Sequence, residues 1–186
     1  MKTLRIIPLA FGFAALTAPA HAQLVVQGKN DAALCYEYAA YGNAGSKSAI
    51  ETCTSGLSEF LSKADKAATF VNRGILLMRK GDQEAASKDF TMALEIRPDL
   101  TEAYVNYGAS LIRQKKYGEA QAALDKALED TESATRPDAL YNRAITFDYQ
   151  ENYRGAYNDL KSALILRPDW DKALALLDRY EVRPAG

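Results

Sequence analysis

The side chains that most often do chemistry are nearly missing from this chain. It has one histidine, His21, and two cysteines, Cys35 and Cys53. His21 lies in a segment expected to be removed. Lys2 and Arg5 open the sequence, Ile6 to Leu16 is an apolar stretch broken only by Pro8 and Gly12, and Ala20-His21-Ala22 has the A-x-A form that signal peptidases cut. Residues 1–22 therefore read as a signal peptide, with Gln23 the first mature residue and 23–30 a disordered N-terminus. The mature chain then has no imidazole, the commonest general base and metal ligand. Ser-His-Asp, Cys-His and histidine-bearing zinc sites are excluded together. Asp138 and Asp148 stand ten residues apart, too loose a pair to mark a hydrolase. No catalytic residue, cofactor or metal ligand is expected. An enzyme working without histidine is kept only as a remote alternative.

The leader also sets the compartment. Its apolar stretch is shorter than the roughly 20 residues a membrane helix needs, and no cysteine follows the cut for a lipid to modify. Neither a membrane anchor nor a lipoprotein is expected. The periplasm of a Gram-negative bacterium, or secretion, is the expected destination. Without residues 1–22 the chain carries 21 cations against 24 anions. A balance of about −3 makes no basic field, so nucleic acid is not an expected partner. The remaining 164 residues suit one domain with a real core.

The elements that position the other residues come from a repeat. Three segments align: residues 67–100, 101–136 and 137–170. Phe70, Gly74, Leu77, Ala86, Phe90 and Ala93 of the first match Tyr104, Gly108, Leu111, Ala120, Leu124 and Ala127 of the second. The third has Leu140, Ala144, Phe147, Ala156, Leu160 and Ala163. Spacings of three, four and seven keep one side of a 3.6-period helix buried, so each segment reads as two helices. Small residues at 74, 108 and 144 let a neighbouring helix come close. Gly81 is placed to end one helix and Asp82 to cap the next, while Pro98 and Pro168 punctuate the ends of units.

At these residues the sequence resembles the tetratricopeptide repeat family, whose 34-residue pattern has an aromatic, an L-G pair, an aromatic, then A-x-x-x-F and a terminal proline. The resemblance implies an all-α solenoid of three helix-turn-helix repeats. Two departures stand out. The middle unit lacks the proline and has extra residues within 130–136, predicting a longer loop there. Arg73, Tyr107 and Arg143 occupy places where the family often has leucine. Arg73 is matched by Asp89 and Arg143 by Asp159, whereas Tyr107 is matched by Ala123. Charges that appear and vanish together predict ion pairs across the hairpins, since a half-buried charge needs a partner.

The flanks fit the same plan. Residues 171–183 read as a capping helix carrying Ala173, Leu174, Leu177 and Tyr180, because a solenoid must cover its last apolar face. Residues 31–66 read as a degenerate fourth hairpin, with Ser48 and Glu51 as a capping box. Cys35 and Cys53 each lie nine residues from Ala44, at the same height on two helices turning there. A disulfide is expected in an oxidising compartment; two buried thiols are the alternative.

The resemblance also implies a role. Tetratricopeptide arrays hold an extended peptide or a helix of a partner along a concave groove lined by their first helices. The corresponding residues here are Val71, Asn72, Ile75, Val105, Asn106, Ile112, Tyr141, Asn142, Ile145 and Tyr149, with Met78, Glu102, Ala109 and Asp138 on the same face. The recurring asparagines would bond a partner's backbone, since amides both donate and accept. The cationic places with which family co-chaperones grip a C-terminal carboxylate hold Val71, Ile75, Asp138 and Asn142, and only Asn106 agrees. A mixed apolar and weakly acidic groove suits an apolar or basic segment. The expected function is a non-enzymatic adaptor binding protein or peptide partners. A permanent structural subunit of an envelope assembly is the alternative.

Overall fold

The computed structural model describes residues 3–6, 30–42 and 45–183. Among these, the elements in chain order are β1 (Thr3–Ile6), α1 (Asp31–Tyr41), α2 (Lys47–Gly56), α3 (Lys63–Lys80), α4 (Gln83–Ile96), α5 (Thr101–Arg113), α6 (Tyr117–Ala127), α7 (Arg136–Tyr149), α8 (Tyr153–Leu166), α9 (Asp171–Leu177) and β2 (Tyr180–Arg183). The helices form four consecutive hairpins followed by α9, as an α-solenoid requires. Consecutive helices pack together, and α3 touches α5 while α5 touches α7. The first helices of the three repeats therefore lie side by side. The apolar leader stretch beyond Ile6, the cut site and residues 23–29 lie outside the described residues, as does the turn tip at 43–44.

Local chemistry accounts for the boundaries. Asn30, expected in the disordered N-terminus, is instead the cap of α1, its side chain accepting from the Ala33 amide at 2.9 Å. The expected capping box at Ser48 and Glu51 is not formed. Ser46 caps α2 by accepting from Ala49, because the helix starts two residues earlier than the motif suggests. Ser62, Asp82 and Asn152 cap α3, α4 and α8 in the same way. Gly81 ends α3 at φ 97°, where a side chain would be strained. Pro137 sits in the first turn of α7, where its missing N–H costs nothing. The loop between α6 and α7 covers 128–135, against 97–100 between α4 and α5, so the longer middle loop is present.

Each hairpin closes on small residues. A Cβ added at Gly74 would stand 2.6 Å from the Phe90 ring, and one at Gly108 would stand 2.6 Å from Leu124. Ala144 fills the third such place and is fully buried. One apolar cluster joins Phe70, Val71, Ile75, Met78 and Phe90 of the first unit. A second joins Val105, Leu111, Ile112, Leu124 and Ile145, and a third runs from Ala144 and Leu160 to Ala173 and Tyr180. Cys35 and Cys53 form a disulfide between α1 and α2, packed with Ala39, Ala49 and Leu76.

The charge pairs inferred from the repeat are present. Arg73 donates to both Asp89 oxygens at 2.7 Å, and Arg143 donates to those of Asp159 at 2.7 and 2.9 Å. Each guanidinium also reaches back to the preceding hairpin, Arg73 to Thr54 Oγ1 at 3.0 Å and Arg143 to Asp125 at 2.8 Å. These arginines bolt neighbouring units together as well as closing their own. The two Asp159 and Asp125 bonds raise the Arg143 pKa, burial opposing them.

The C-terminal cap differs from the expected helix over 171–183. Helix α9 stops at Leu177, and Leu174 is exposed. Residues Tyr180–Arg183 turn extended and pair antiparallel with Thr3–Ile6, Thr3 opposite Arg183 and Ile6 opposite Tyr180. Pro184 disfavours helix at the residue before it, and Tyr180 and Val182 favour strand.

Candidate functional site

The inner face is built by α3, α5 and α7, and the structure divides its predicted residues into three groups. Val71 and Ile75 on α3 lie in the first apolar cluster, where Ile50 and Leu57 of the N-terminal hairpin also pack. Helix α3 touches α1, α2, α4 and α5, so its sides are covered nearly all round. Val105, Ile112 and Ile145 meet in the second cluster together with half-buried Tyr141. Tyr149 stands apart from them at the end of α7, 46% exposed, stacked on Tyr117 with ring centroids 4.7 Å apart. Burial raises the pKa of Tyr141, and burial together with Tyr149 raises that of Tyr117.

The three asparagines are all buried, but α5 and α7 treat theirs differently. Asn106 Nδ2 donates to the Glu102 carbonyl at 2.9 Å, one turn back on its own helix. Asn142 Nδ2 is buried and finds no acceptor among the described residues. Its own backbone carbonyl accepts from Thr146 Oγ1 at 3.0 Å. A buried amide donor left unpaired costs about 1–3 kcal/mol.

The acidic character expected of this face is cancelled at α7. Arg167 makes a two-pronged pair with Asp138, at 3.0 and 3.1 Å, and lies 4.3 Å over the Trp170 ring, which in turn packs 4.7 Å from Tyr141. Asp138 is 1% exposed and Arg167 covers its charge. Sequence reasoning missed Arg167, Trp170 and Tyr117 as neighbours of the face, because they lie on second helices and connections. The signal for Arg167 is the recurrence of Arg-Pro-Asp at 97–99, 136–138 and 167–169. Elsewhere on the rim, half-buried Arg79 donates to the Gly42 carbonyl at 3.0 Å, and burial lowers its pKa.

A polar cleft of about 510 Å³ lies on another part of the molecule, between residues 98–101 and 126–130. Of its lining charges, Lys126 pairs with Glu129, Asp130 accepts from the Thr101 hydroxyl, and Asp99 pairs with Arg97, whose bonds hold its carboxyl down to about 2. Among the described residues no group of three or more acids, cysteines or histidines is placed to hold a metal ion. Among them, too, no helix is long and apolar enough to cross a membrane.

Residues 67–100 and 101–129 match the tetratricopeptide repeat. These segments are tetratricopeptide repeats. Solved structures carry the same fold across the rest of the solenoid. The chain superposes on MamA of Desulfovibrio magneticus with a TM-score of 0.63 at 20% identity, covering 80% of this chain and 82% of that one. The tetratricopeptide domain of Arabidopsis OM64 gives 0.60 at 19% identity, over 63% of this chain and 96% of that domain. YrrB, described as a tetratricopeptide protein with an unusual peptide-binding site, gives 0.59 at 25% identity, over 69% and 64%. Among curated proteins, rat sperm-associated antigen 1 is 31% identical over 132 residues. That stretch is 69% of this chain and only 14% of the rat protein. Tetratricopeptide repeats are interaction scaffolds, and the fold here is theirs.

Proposed function

We propose that this protein is an exported, non-catalytic adaptor whose repeats hold a segment of a partner polypeptide against α5 and α7. The observation that carries the reading is Asn142, whose buried Nδ2 lacks an acceptor among the described residues on the face where the first helices meet. A backbone carbonyl of a bound segment supplies that acceptor. Tyr141 and Tyr149 give the apolar contact beside it, one half-buried and one exposed. Since Arg167 neutralises Asp138, the segment that fits is apolar and uncharged rather than basic. The unusual peptide-binding site of YrrB accords with a peptide ligand for repeats of this fold. Removal of residues 1–22 on export, and a periplasmic location, belong to the same proposal and rest on the leader sequence.

The test is crosslinking in the producing cell, with partners identified by mass spectrometry and compared between the natural chain and Asn142→Leu. Partners captured by the first and lost from the second support the reading. Equal capture by both removes Asn142 from the site. N-terminal sequencing of the same material reads the export step independently, Gln23 being the expected start.

A further inference from the structure

We propose that β2 is a strand acceptor: β1 fills its edge in the uncleaved chain, and an extended segment of a partner polypeptide takes the same edge once residues 1–22 are gone. The inference rests on the leader cleavage proposed above, but the surface is distinct from the face around Asn142. Residues Thr3–Ile6 lie wholly inside the leader and pair with Tyr180–Arg183 along their full length. Cleavage therefore removes one strand of a two-stranded ribbon and leaves the other. A strand without a neighbour presents a row of backbone N–H and C=O groups ready to pair with another chain.

The remaining strand starts from a fixed point. Tyr180 is buried against Leu176, Leu177 and Trp170. Its hydroxyl donates to Asp148 Oδ1 at 2.6 Å, and Arg179 donates to Asp148 Oδ2 at 3.2 Å. Burial and that bond push the Tyr180 pKa far up, so the hydroxyl keeps its proton. Five apolar clusters, all drawn from residues between 32 and 180, together with the disulfide, survive the loss of the leader. The acceptor is thus prepared by the solenoid, not by β1. Its occupant is defined by what β1 supplies: at least four extended residues, antiparallel, with free amides and no proline in the paired stretch. In such strand addition the main-chain bonds provide the affinity. Asp148 lies on α7, the helix that carries Asn142, so a strand seated on β2 joins the same helix from its far end.

Hydrogen exchange tests this directly. The amides of residues 180–183 are followed in the full chain and in the chain beginning at Gln23, with a synthetic peptide of residues 1–8 as the probe. Exchange about tenfold faster without the leader, reversed by the peptide, supports the acceptor. The same peptide carrying Leu4→Pro and Arg5→Pro should protect nothing, because proline cannot donate to a ladder. Unchanged exchange on losing the leader, or no protection by the natural peptide, overturns the proposal. Protection that instead rises with protein concentration, alongside a dimer in sedimentation, makes a second copy the occupant and overturns it too. Mass measurement on the cellular protein separates the premise. An intact Met1 overturns the cleavage reading and the release of the edge, whereas a Gln23 start with an edge indifferent to the peptide overturns the strand acceptor alone.

Discussion

Asn142→Leu should separate folding from binding, because the two draw on opposite properties of the same atom. The natural side chain is 4% exposed and its Nδ2 lacks an acceptor among the described residues. Leucine has the same number and branching of side-chain heavy atoms, with bulkier methyls, and no donor to desolvate. Replacing an unsatisfied polar group by an apolar one of similar shape is neutral or stabilising, and the penalty removed is about 1–3 kcal/mol. Part of that gain is lost to imperfect packing of the branched methyls. A net stabilisation of about 1 kcal/mol is expected, raising Tm by about 2–4 °C for a chain of this size. Partner capture should fall about tenfold, equivalent to about 1.4 kcal/mol. The control is Asn106→Leu, which breaks the 2.9 Å bond to Glu102 and should lower stability by about 1 kcal/mol. Thermal melts followed by circular dichroism, with quantitative crosslinking of the captured partner, read both effects. A clear loss of stability in Asn142→Leu would refute the reasoning, since it would mean that the amide is bonded in the folded protein.

Other substitutions probe the joints between units. Arg143→Ala strands Asp159, 10% exposed, and should cost about 3 kcal/mol; Asp159→Ala should cost less, because Asp125 still pairs the guanidinium. In denaturant melts the double mutant should cost less than the sum, and strict additivity would deny the coupling. Cys53→Ser opens an 18-residue loop and should remove about 3 kcal/mol in the chain-entropy model, with faster hydrogen exchange concentrated in α1 and α2. Gly74→Ala should destabilise by about 1 kcal/mol, because the new methyl overlaps the buried Phe90 ring. Gly118→Ala meets nothing within 4 Å and should stabilise by about 0.5 kcal/mol. Opposite signs for the two glycines, measured by the same melts, check the packing of the hairpins.

Much of the solenoid was legible because its helices bury one face each, and burial of one face writes a period into the sequence. Gly74, Gly108 and Ala144 marked the close approach of paired helices before any coordinates did. The arginine and aspartate pairs were legible for a different reason: their absence from the middle unit, as Tyr107 and Ala123, acted as a built-in control. The N-cap of α2 and the end of α9 were less so. Ser46 and Ser48 are chemically equal candidates, and only the path of the chain after Gly45 chooses between them; a Cβ at Gly45 would overlap the Leu76 carbonyl. Tyr180 has helical spacing with Ala173 and Leu177, yet it reaches the same core from an extended segment.

The face of the first helices shows where repeat register stops being informative. Register assigns Val71, Val105 and Tyr141 to one equivalent place, but the surroundings of that place change along the solenoid. At α3 it is closed by the hairpin that the disulfide holds, with Ile50 and Leu57 packed on the cluster. At α5 it is filled by Ile112 of the same helix and Ile145 of the next repeat. At α7 it meets Trp170 and remains half-open, about two turns from exposed Tyr149. The asparagine that follows obeys the same gradient: Asn106 satisfies its amide on Glu102, whereas Asn142 finds no acceptor among the described residues. A repeat sequence can specify identical side chains in every unit, but it cannot make the units identical, because each has different neighbours. On the proposed reading, binding falls to the third unit, where the unmatched Asn142 amide lies on the face of the first helices beside half-open Tyr141.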